Sequence, residues 1–224
     1  MVRFQLAFVS ALIERIQYQL RSHRLSLFVG RYVNLNPSMK AFLLDHDDSF
    51  TFNLRDWLKP VFADITVVNH RDSREILTAK YDLLVLSPGP KTPQDYPHVI
   101  ESLSSLPDFQ PVLGICLGLQ TLVTLNGGTV QTYTPPLHGK TSSLETLRPE
   151  LESFQNSKVA RYHSLICGGY EKNFDTLAYS SEDGHPMWLL HKTKKQMGFQ
   201  FHPESFMTEN SDRYRQYLRQ WLQS

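Results

Sequence analysis

The chain has 224 residues, of which 41% are hydrophobic and 20% are charged, and its formal net charge is +1. This length is sufficient for one sizeable hydrophobic core, and the near-neutral charge lacks the basic excess typical of nucleic-acid-binding proteins. No apolar run reaches the length of a membrane span, and neither a zinc-type cysteine cluster nor a GxxxxGKS/T phosphate loop is present. We therefore expect no nucleic-acid partner, no membrane partner, no metal and no cofactor.

Residues 1–38 differ in composition from the rest of the chain, with five arginines and a single acidic residue, Glu14. Apolar residues recur there at helical spacing: Phe4, Phe8, Leu12, Ile16 and Leu20. We favour sequence lying upstream of the functional start, with the domain spanning residues 39–224. An arginine-rich targeting segment, a membrane-surface helix and an ordinary helix packed on the domain are the alternatives.

From Ala41 onward, short apolar strands alternate with helical segments. Strands are predicted at 41–46, 63–69 and 81–87, and helices at 49–58, with Ser49 as the N-cap, and at 95–106. After residue 128 the strands become shorter and more polar, and a closing helix is predicted at Ser211–Gln223. The pattern indicates an α/β fold with a central, mostly parallel sheet flanked by helices and a smaller mixed or antiparallel extension. Ligands are expected at the carboxyl ends of the parallel strands.

The segment PVLGICLGLQ (111–120) predicts a tight turn from a strand into a helix, with Cys116 at the corner. Gly114 and Gly118, two positions to either side, permit such a turn without side-chain clashes. Such a corner is expected to expose the thiol and to aim the free N–H groups of a helix start at it, which favours the reactive thiolate. The alternative is that Cys116 is an unreactive core thiol.

A cysteine nucleophile needs a base, and a group that orients the base. His202 follows an apolar strand, and Glu204 is placed to accept a hydrogen bond from one nitrogen of its ring. A lone histidine before a proline is more often a turn residue. Cys116, His202 and Glu204 together nevertheless form a candidate triad.

Six blocks of sequence then occur in an order that resembles class I, triad-type glutamine amidotransferases. They are DDSFTFNL (47–54), SPGP (87–90), GICLGLQ (114–120), HGK (138–140), RYHSL (161–165) and QFHPES (200–205). The chain most resembles the amidotransferase subunits of anthranilate synthase and aminodeoxychorismate synthase. The resemblance runs from about Met39 to the C-terminus and does not cover residues 1–38.

The resemblance implies a role for each residue of the triad. Cys116 attacks the side-chain amide of L-glutamine, His202 carries the proton, and Glu204 orients His202.

The resemblance also implies substrate contacts. The backbone N–H groups of Gly89 and Leu117 hold the oxyanion, while Gln120 and the main chain of Ser164 and Leu165 bind substrate.

For several other residues with reactive or metal-ligand side chains, we predict no catalytic or metal-binding role. We interpret His163 as a structural histidine and Cys167 as a bystander. Asp45, Asp47 and Asp48 resemble a metal cluster in composition, but the family uses this segment structurally or at a subunit contact. Since many relatives carry histidine at the position of Leu119, the assignment to a subfamily is affected, but the triad is not.

Free ammonia is protonated in neutral water and loses its nucleophilicity, so a synthase must receive it directly. The resemblance implies a heteromer with a chorismate-binding synthase subunit, which makes anthranilate or 4-amino-4-deoxychorismate. The alternatives are a stand-alone hydrolase of glutamyl amides or peptides, a subunit of another synthase, and a non-catalytic regulatory subunit. With only two, widely separated cysteines, the chain fits a reducing compartment, and we expect the cytoplasm.

Overall fold

The computed structural model describes residues 39–133 and 139–224. The predicted N-terminal extension, residues 1–38, lies outside the described residues, as does His138. The described helices are α1 (Thr51–Leu58), α2 (Pro97–Ser104), α3 (Leu117–Leu125) and α4 (Ser211–Gln223). The strands are β1 (Lys40–Asp45), β2 (Asp64–Asn69), β3 (Leu83–Leu86), β4 (Val112–Ile115), β5 (Thr129–Thr132), β6 (Lys140–Thr146), β7 (Lys158–Arg161), β8 (Leu165–Gly168), β9 (Phe174–Ser180), β10 (Pro186–His191) and β11 (Gln196–Phe199). Within these ranges no helix combines the length and apolar character that a bilayer crossing requires.

Nine of the strands form one sheet, in the order β2-β1-β3-β4-β11-β10-β9-β6-β7. The first five strands in this order pair in parallel, and the pairs from β11 to β7 are antiparallel. Strands β5 and β8 form a separate antiparallel pair. The predicted α/β architecture is confirmed, and most of the predicted extension continues the central sheet.

Side chains from the inner parallel strands, β1, β3, β4 and β11, are buried on both faces of the sheet. Along β1, Leu43 packs with α1 and α4, whereas Phe42 and Leu44 pack with α2 and α3. This follows from the alternation of side chains along a strand. Helices therefore cover both faces, and the strand ends are left to form a site.

The helix boundaries are close to those predicted, but the N-terminal capping of α1 differs from the prediction. Helix α1 begins after Phe50, and no side chain caps it, so the prediction that Ser49 is its N-cap is wrong. Asp48 instead accepts a hydrogen bond from the backbone N–H of Phe50 at 2.8 Å. The Asp48 carboxylate thus holds the turn that leads into the helix.

Candidate active site

Cys116 lies at a sharp turn between β4, which ends at Ile115, and α3, which begins at Leu117. Its backbone has φ 52° and ψ −103°, an unusual conformation for a residue other than glycine. The turn requires glycine at position 118, because a Cβ atom there would lie 2.3 Å from the carbonyl oxygen of Leu86. The corner predicted from the sequence is therefore present, with Cys116 at its apex. Cys116 is only 7% exposed, so the expectation that the corner exposes the thiol is wrong.

His202 and Glu204 form a buried pair in the segment after β11. His202 Nδ1 lies 2.8 Å from Glu204 Oε1, and the two side chains are 3% and 0% exposed. The other ring nitrogen, Nε2, is buried and has no hydrogen-bond partner among the described residues. The backbone of His202 is anchored, since its N–H donates to Ala160 and its carbonyl accepts from the Thr208 hydroxyl.

The charges around His202 favour its protonated form. Burial disfavours an imidazolium, but the Glu204 carboxylate and the nearby Cys116 sulfur outweigh this effect and raise the pKa of His202 well above its ordinary value. The rings of Phe50 and Tyr162 pack edge-on against the imidazole, at centroid distances of 5.3 and 5.1 Å. His202 is thus a strong base held in one orientation.

A cavity of about 480 Å³ opens beside Cys116. Five of the residues predicted for the site line it: Gly89, Cys116, Gln120, Ser164 and Leu165. Leu117 is buried directly behind Gly89, because a Cβ atom on Gly89 would lie 2.5 Å from the Leu117 side chain. The two predicted oxyanion donors therefore belong to segments in close contact, and the volume suits a ligand of amino-acid size.

Gln120 and Leu165 contact each other at one wall of this cavity. Gln120 Nε2 donates to the Leu165 carbonyl oxygen at 3.3 Å, and His163 Nδ1 lies 2.8 Å from the same oxygen. His163 Nε2 accepts a hydrogen bond from Arg161 Nε at 3.1 Å, so the proton of the neutral ring is on Nδ1. Burial and the Arg161 charge lower the pKa of His163 to about 3. His163 thus has the structural contacts predicted for it.

The aspartates at the end of β1 are held by protein groups. Asp45 accepts from the Thr51 hydroxyl at 2.6 Å, and Asp47 pairs with Arg71 at 2.7 Å and accepts from Asn69. Among the described residues, no group of three or more acidic, histidine or cysteine side chains is arranged to hold a metal ion.

Sequence reasoning gave Gln200 no role, yet it lies against the sulfur. Gln200 Nε2 is 3.6 Å from Cys116 Sγ, and Gln200 Oε1 is 3.7 Å from Cys167 Sγ. Gln200 follows β11 as Cys116 follows β4, and the parallel pairing of these two strands in the structure places the residues side by side. Cys167 is also closer to the site than its bystander interpretation implies.

The fold and the position of the corner thiol resemble those of α/β enzymes that carry a nucleophile after a central strand. Residues 42–219 match the family "Glutamine amidotransferase class-I". The chain belongs to this family and is a glutamine amidotransferase.

The chain is also similar in sequence to two proteins named anthranilate synthase component 2. The pyocyanine-specific protein of Pseudomonas aeruginosa is 38% identical over 182 residues, covering 78% of this chain and 90% of that protein. The protein of Leptospira biflexa is 36% identical over 189 residues, covering 76% and 94% respectively. The crystal structure of a glutamine amidotransferase from Thermotoga maritima has a TM-score of 0.57 at 16% identity and covers 82% of this chain and 94% of that one. The solved structure supports the fold alone.

Proposed function

We propose that this chain is a glutaminase subunit that hydrolyses L-glutamine through Cys116, His202 and Glu204 and delivers ammonia to a chorismate-aminating synthase subunit. The observation that carries the proposal is the buried pair at 2.8 Å, in which Glu204 holds His202 through Nδ1, while Nε2 has no hydrogen-bond partner among the described residues and Cys116 lies nearby. An imidazole held through Nδ1 in this way is prepared to accept a proton at Nε2.

In the proposed reaction, Cys116 Sγ attacks the side-chain amide carbon of glutamine while His202 takes the thiol proton. A C–S bond forms, and the electron pair of the C=O bond moves onto oxygen. When the tetrahedral intermediate collapses, the C–N bond breaks, and His202 returns its proton to the departing nitrogen as ammonia leaves. Water then hydrolyses the thioester to glutamate, with His202 acting as the base.

The oxyanion of the intermediate is assigned to the backbone N–H groups of Gly89 and Leu117. Fixed donors in a partly water-excluded site stabilise developing charge, and one such donor typically contributes on the order of 10²–10³ in rate. Gly89 suits this task because its close contact with Leu117 leaves no room for a Cβ atom. Gln120, Ser164 and Leu165 are assigned to binding the rest of glutamine at the cavity wall.

The synthase partner is proposed from the relatives, because two of them are named component 2 of anthranilate synthase. Most ammonia released into neutral water becomes ammonium, which cannot attack a ring carbon, so direct transfer to a partner keeps the dilute product reactive. The acceptor is proposed to be chorismate, and the product anthranilate, 4-amino-4-deoxychorismate or both. We place this activity in residues 39–224 and in the cytoplasm.

The deciding experiment measures glutamate release by the full chain, alone and with the chorismate-using synthase subunit from the same source. We expect low activity alone, a rise when partner and chorismate are present, and an aromatic product whose identity names the reaction. High activity that the partner leaves unchanged overturns the subunit proposal and favours a stand-alone hydrolase. Stimulation by a different synthase, and not by this one, identifies another ammonia acceptor.

The substitution Cys116→Ser tests the nucleophile in the same assay. Because the hydroxyl is a much weaker nucleophile, we expect glutamine-dependent amination to fall below detection. Amination by the partner with added ammonium salt should remain at the parent level, because that reaction bypasses this chain. Retention of glutamine-dependent activity contradicts the proposed chemistry, and loss of both activities contradicts the role as ammonia donor.

A further inference from the structure

The side-chain amide of Gln200 lies against the sulfur of Cys116. Its Nε2 lies 3.6 Å from Sγ, a normal distance for an N–H donor to sulfur, and the residue is 1% exposed. The position follows from the sheet, because β4 and β11 pair in parallel with Ile115 opposite Phe199. Cys116 directly follows Ile115, and Gln200 directly follows Phe199. The N–H of Cys116 donates to the Phe199 carbonyl at 2.8 Å.

The orientation of the Gln200 amide is set by groups whose hydrogen-bonding roles are fixed. A backbone carbonyl can only accept, so the amide of Gln120 must turn its NH₂ group toward the Leu165 oxygen. The same NH₂ group lies 3.2 Å from Gln200 Oε1 and donates to it. Gln200 must therefore present its oxygen to Gln120 and its own NH₂ group to Cys116. In the flipped orientation, the NH₂ groups of Gln200 and Gln120 would face each other with no acceptor between them.

Cys167 supports the same orientation from another side. Its Sγ lies 3.7 Å from Gln200 Oε1, and burial, together with the charge of Cys116, raises the pKa of its thiol. Cys167 therefore remains protonated and acts as a weak donor. The Gln200 oxygen thus faces two donors, and its NH₂ group faces the sulfur.

We propose that Gln200 is a positioning residue that donates a hydrogen bond to Cys116 Sγ and connects the sulfur to the substrate wall at Gln120 and Leu165. This inference rests on the proposed function only in taking Cys116 as the nucleophile. A donor at the sulfur stabilises the thiolate more than the thiol and holds Sγ in one direction for attack. Since Gln120 and Leu165 line the cavity, a ligand bound there contacts the same chain of hydrogen bonds.

Several ionisable groups surround this arrangement. Cys116 faces His202 and Cys167, and Glu204 stands behind His202. Asp48 and His163 act on His202 from the β1 side and from the segment before β8. A test must therefore change the Gln200 donor without changing any of these charges.

The substitution Gln200→Met meets this requirement, because methionine has a similar volume and no donor. The readout is the rate of Cys116 alkylation by iodoacetamide between pH 4 and 10, followed at the Cys116 peptide by mass spectrometry. This reaction forms a C–S bond with the thiolate and releases iodide, so its pH midpoint reports thiolate formation. We expect the midpoint to rise by about one pH unit, equivalent to a tenfold loss of thiolate below it. Glutamine turnover should show a lower kcat with KM within about twofold.

Gln196→Met is the matched control. Gln196 is a buried amide at the start of β11, the strand that leads to Gln200, and its Oε1 accepts from Asn126 at 2.9 Å. We expect the parent alkylation midpoint in this variant. An unchanged midpoint in folded Gln200→Met overturns the proposal, as does an equal shift in both variants.

A second variant, Gln200→Leu, removes the donor and adds no charge. We expect an upward shift of the midpoint similar to that of Gln200→Met. A downward or absent shift overturns the proposal even where the methionine variant is unstable. Alkylation does not require glutamine hydrolysis, so the failure of this inference is distinguishable from failure of the proposed function.

Discussion

Replacing Glu204 by Gln tests how much of the proposed catalysis depends on one buried charge. The variant keeps an oxygen that can accept from His202 Nδ1 across the 2.8 Å contact, but it removes the negative charge. The parent carboxylate has no exposed surface, so water cannot replace it. The imidazolium formed when His202 takes the thiol proton then lacks its counter-ion.

The expected magnitude follows from this contact. A hydrogen bond to a charged group contributes about 1.5–3 kcal/mol, and removing one partner of a buried ion pair costs about 3–5 kcal/mol. A loss of about 3 kcal/mol confined to the transition state lowers kcat roughly 150-fold. Because Glu204 is not among the residues lining the cavity, KM should stay within about twofold.

The assay is glutamate release with the synthase partner present, at several glutamine concentrations. Circular dichroism and thermal unfolding establish that the variant is folded. Glu209→Gln is a suitable control, because Glu209 lies in the same segment but its carboxylate accepts from the backbone of Lys158. Activity of Glu204→Gln within threefold of the parent refutes the assigned role, as does an equal loss in the control.

Two further predictions concern stability. Gly118→Ala should lower the free energy of unfolding by about 1–3 kcal/mol and reduce hydrolysis, because its Cβ atom would meet the Leu86 carbonyl at 2.3 Å; a variant with the parent urea midpoint contradicts this. Burial and the charge of His70 lower the pKa of His46 from 6.5 to about 3. Below pH 6.5 the unfolded chain therefore binds a proton at His46 that the folded chain does not bind. Stability should therefore fall from pH 7 to pH 5, and His46→Gln should reduce this fall by about 2 kcal/mol in urea titrations; equal falls in both proteins refute it. His163 contributes in the same direction and His202, whose pKa is raised, in the opposite one, so the comparison with the variant isolates His46.

Much of the fold could be predicted because the information lies in short stretches. Near-continuous apolar runs such as Leu83–Leu86 are buried on both faces, which requires helices on each side of a parallel sheet. Such a sheet places its carboxyl strand ends along one edge. Two glycines around Cys116 then specify the corner, since a side chain at Gly118 cannot fit.

The remaining details depend on contacts between distant residues. Ser49 has the right chemistry for an N-cap, but the helix begins later, and Asp48 makes the local hydrogen bond instead. Gln200 lies 84 residues from Cys116 in the sequence, and only the register of β4 with β11 places them together. His163 required knowledge of the buried Arg161 guanidinium beside it. Spacing along the chain contains none of these distances.

The position of β11 has a consequence for when the enzyme becomes reactive during its synthesis. This late strand inserts at the centre of the sheet, between β4 and β10, and carries the chain on to His202 and Glu204. A nascent chain that contains only the first strands has Cys116 but lacks β11, His202 and Glu204. On the proposed mechanism, glutamine hydrolysis therefore begins only after β11 has inserted, a long-range pairing that forms late in folding.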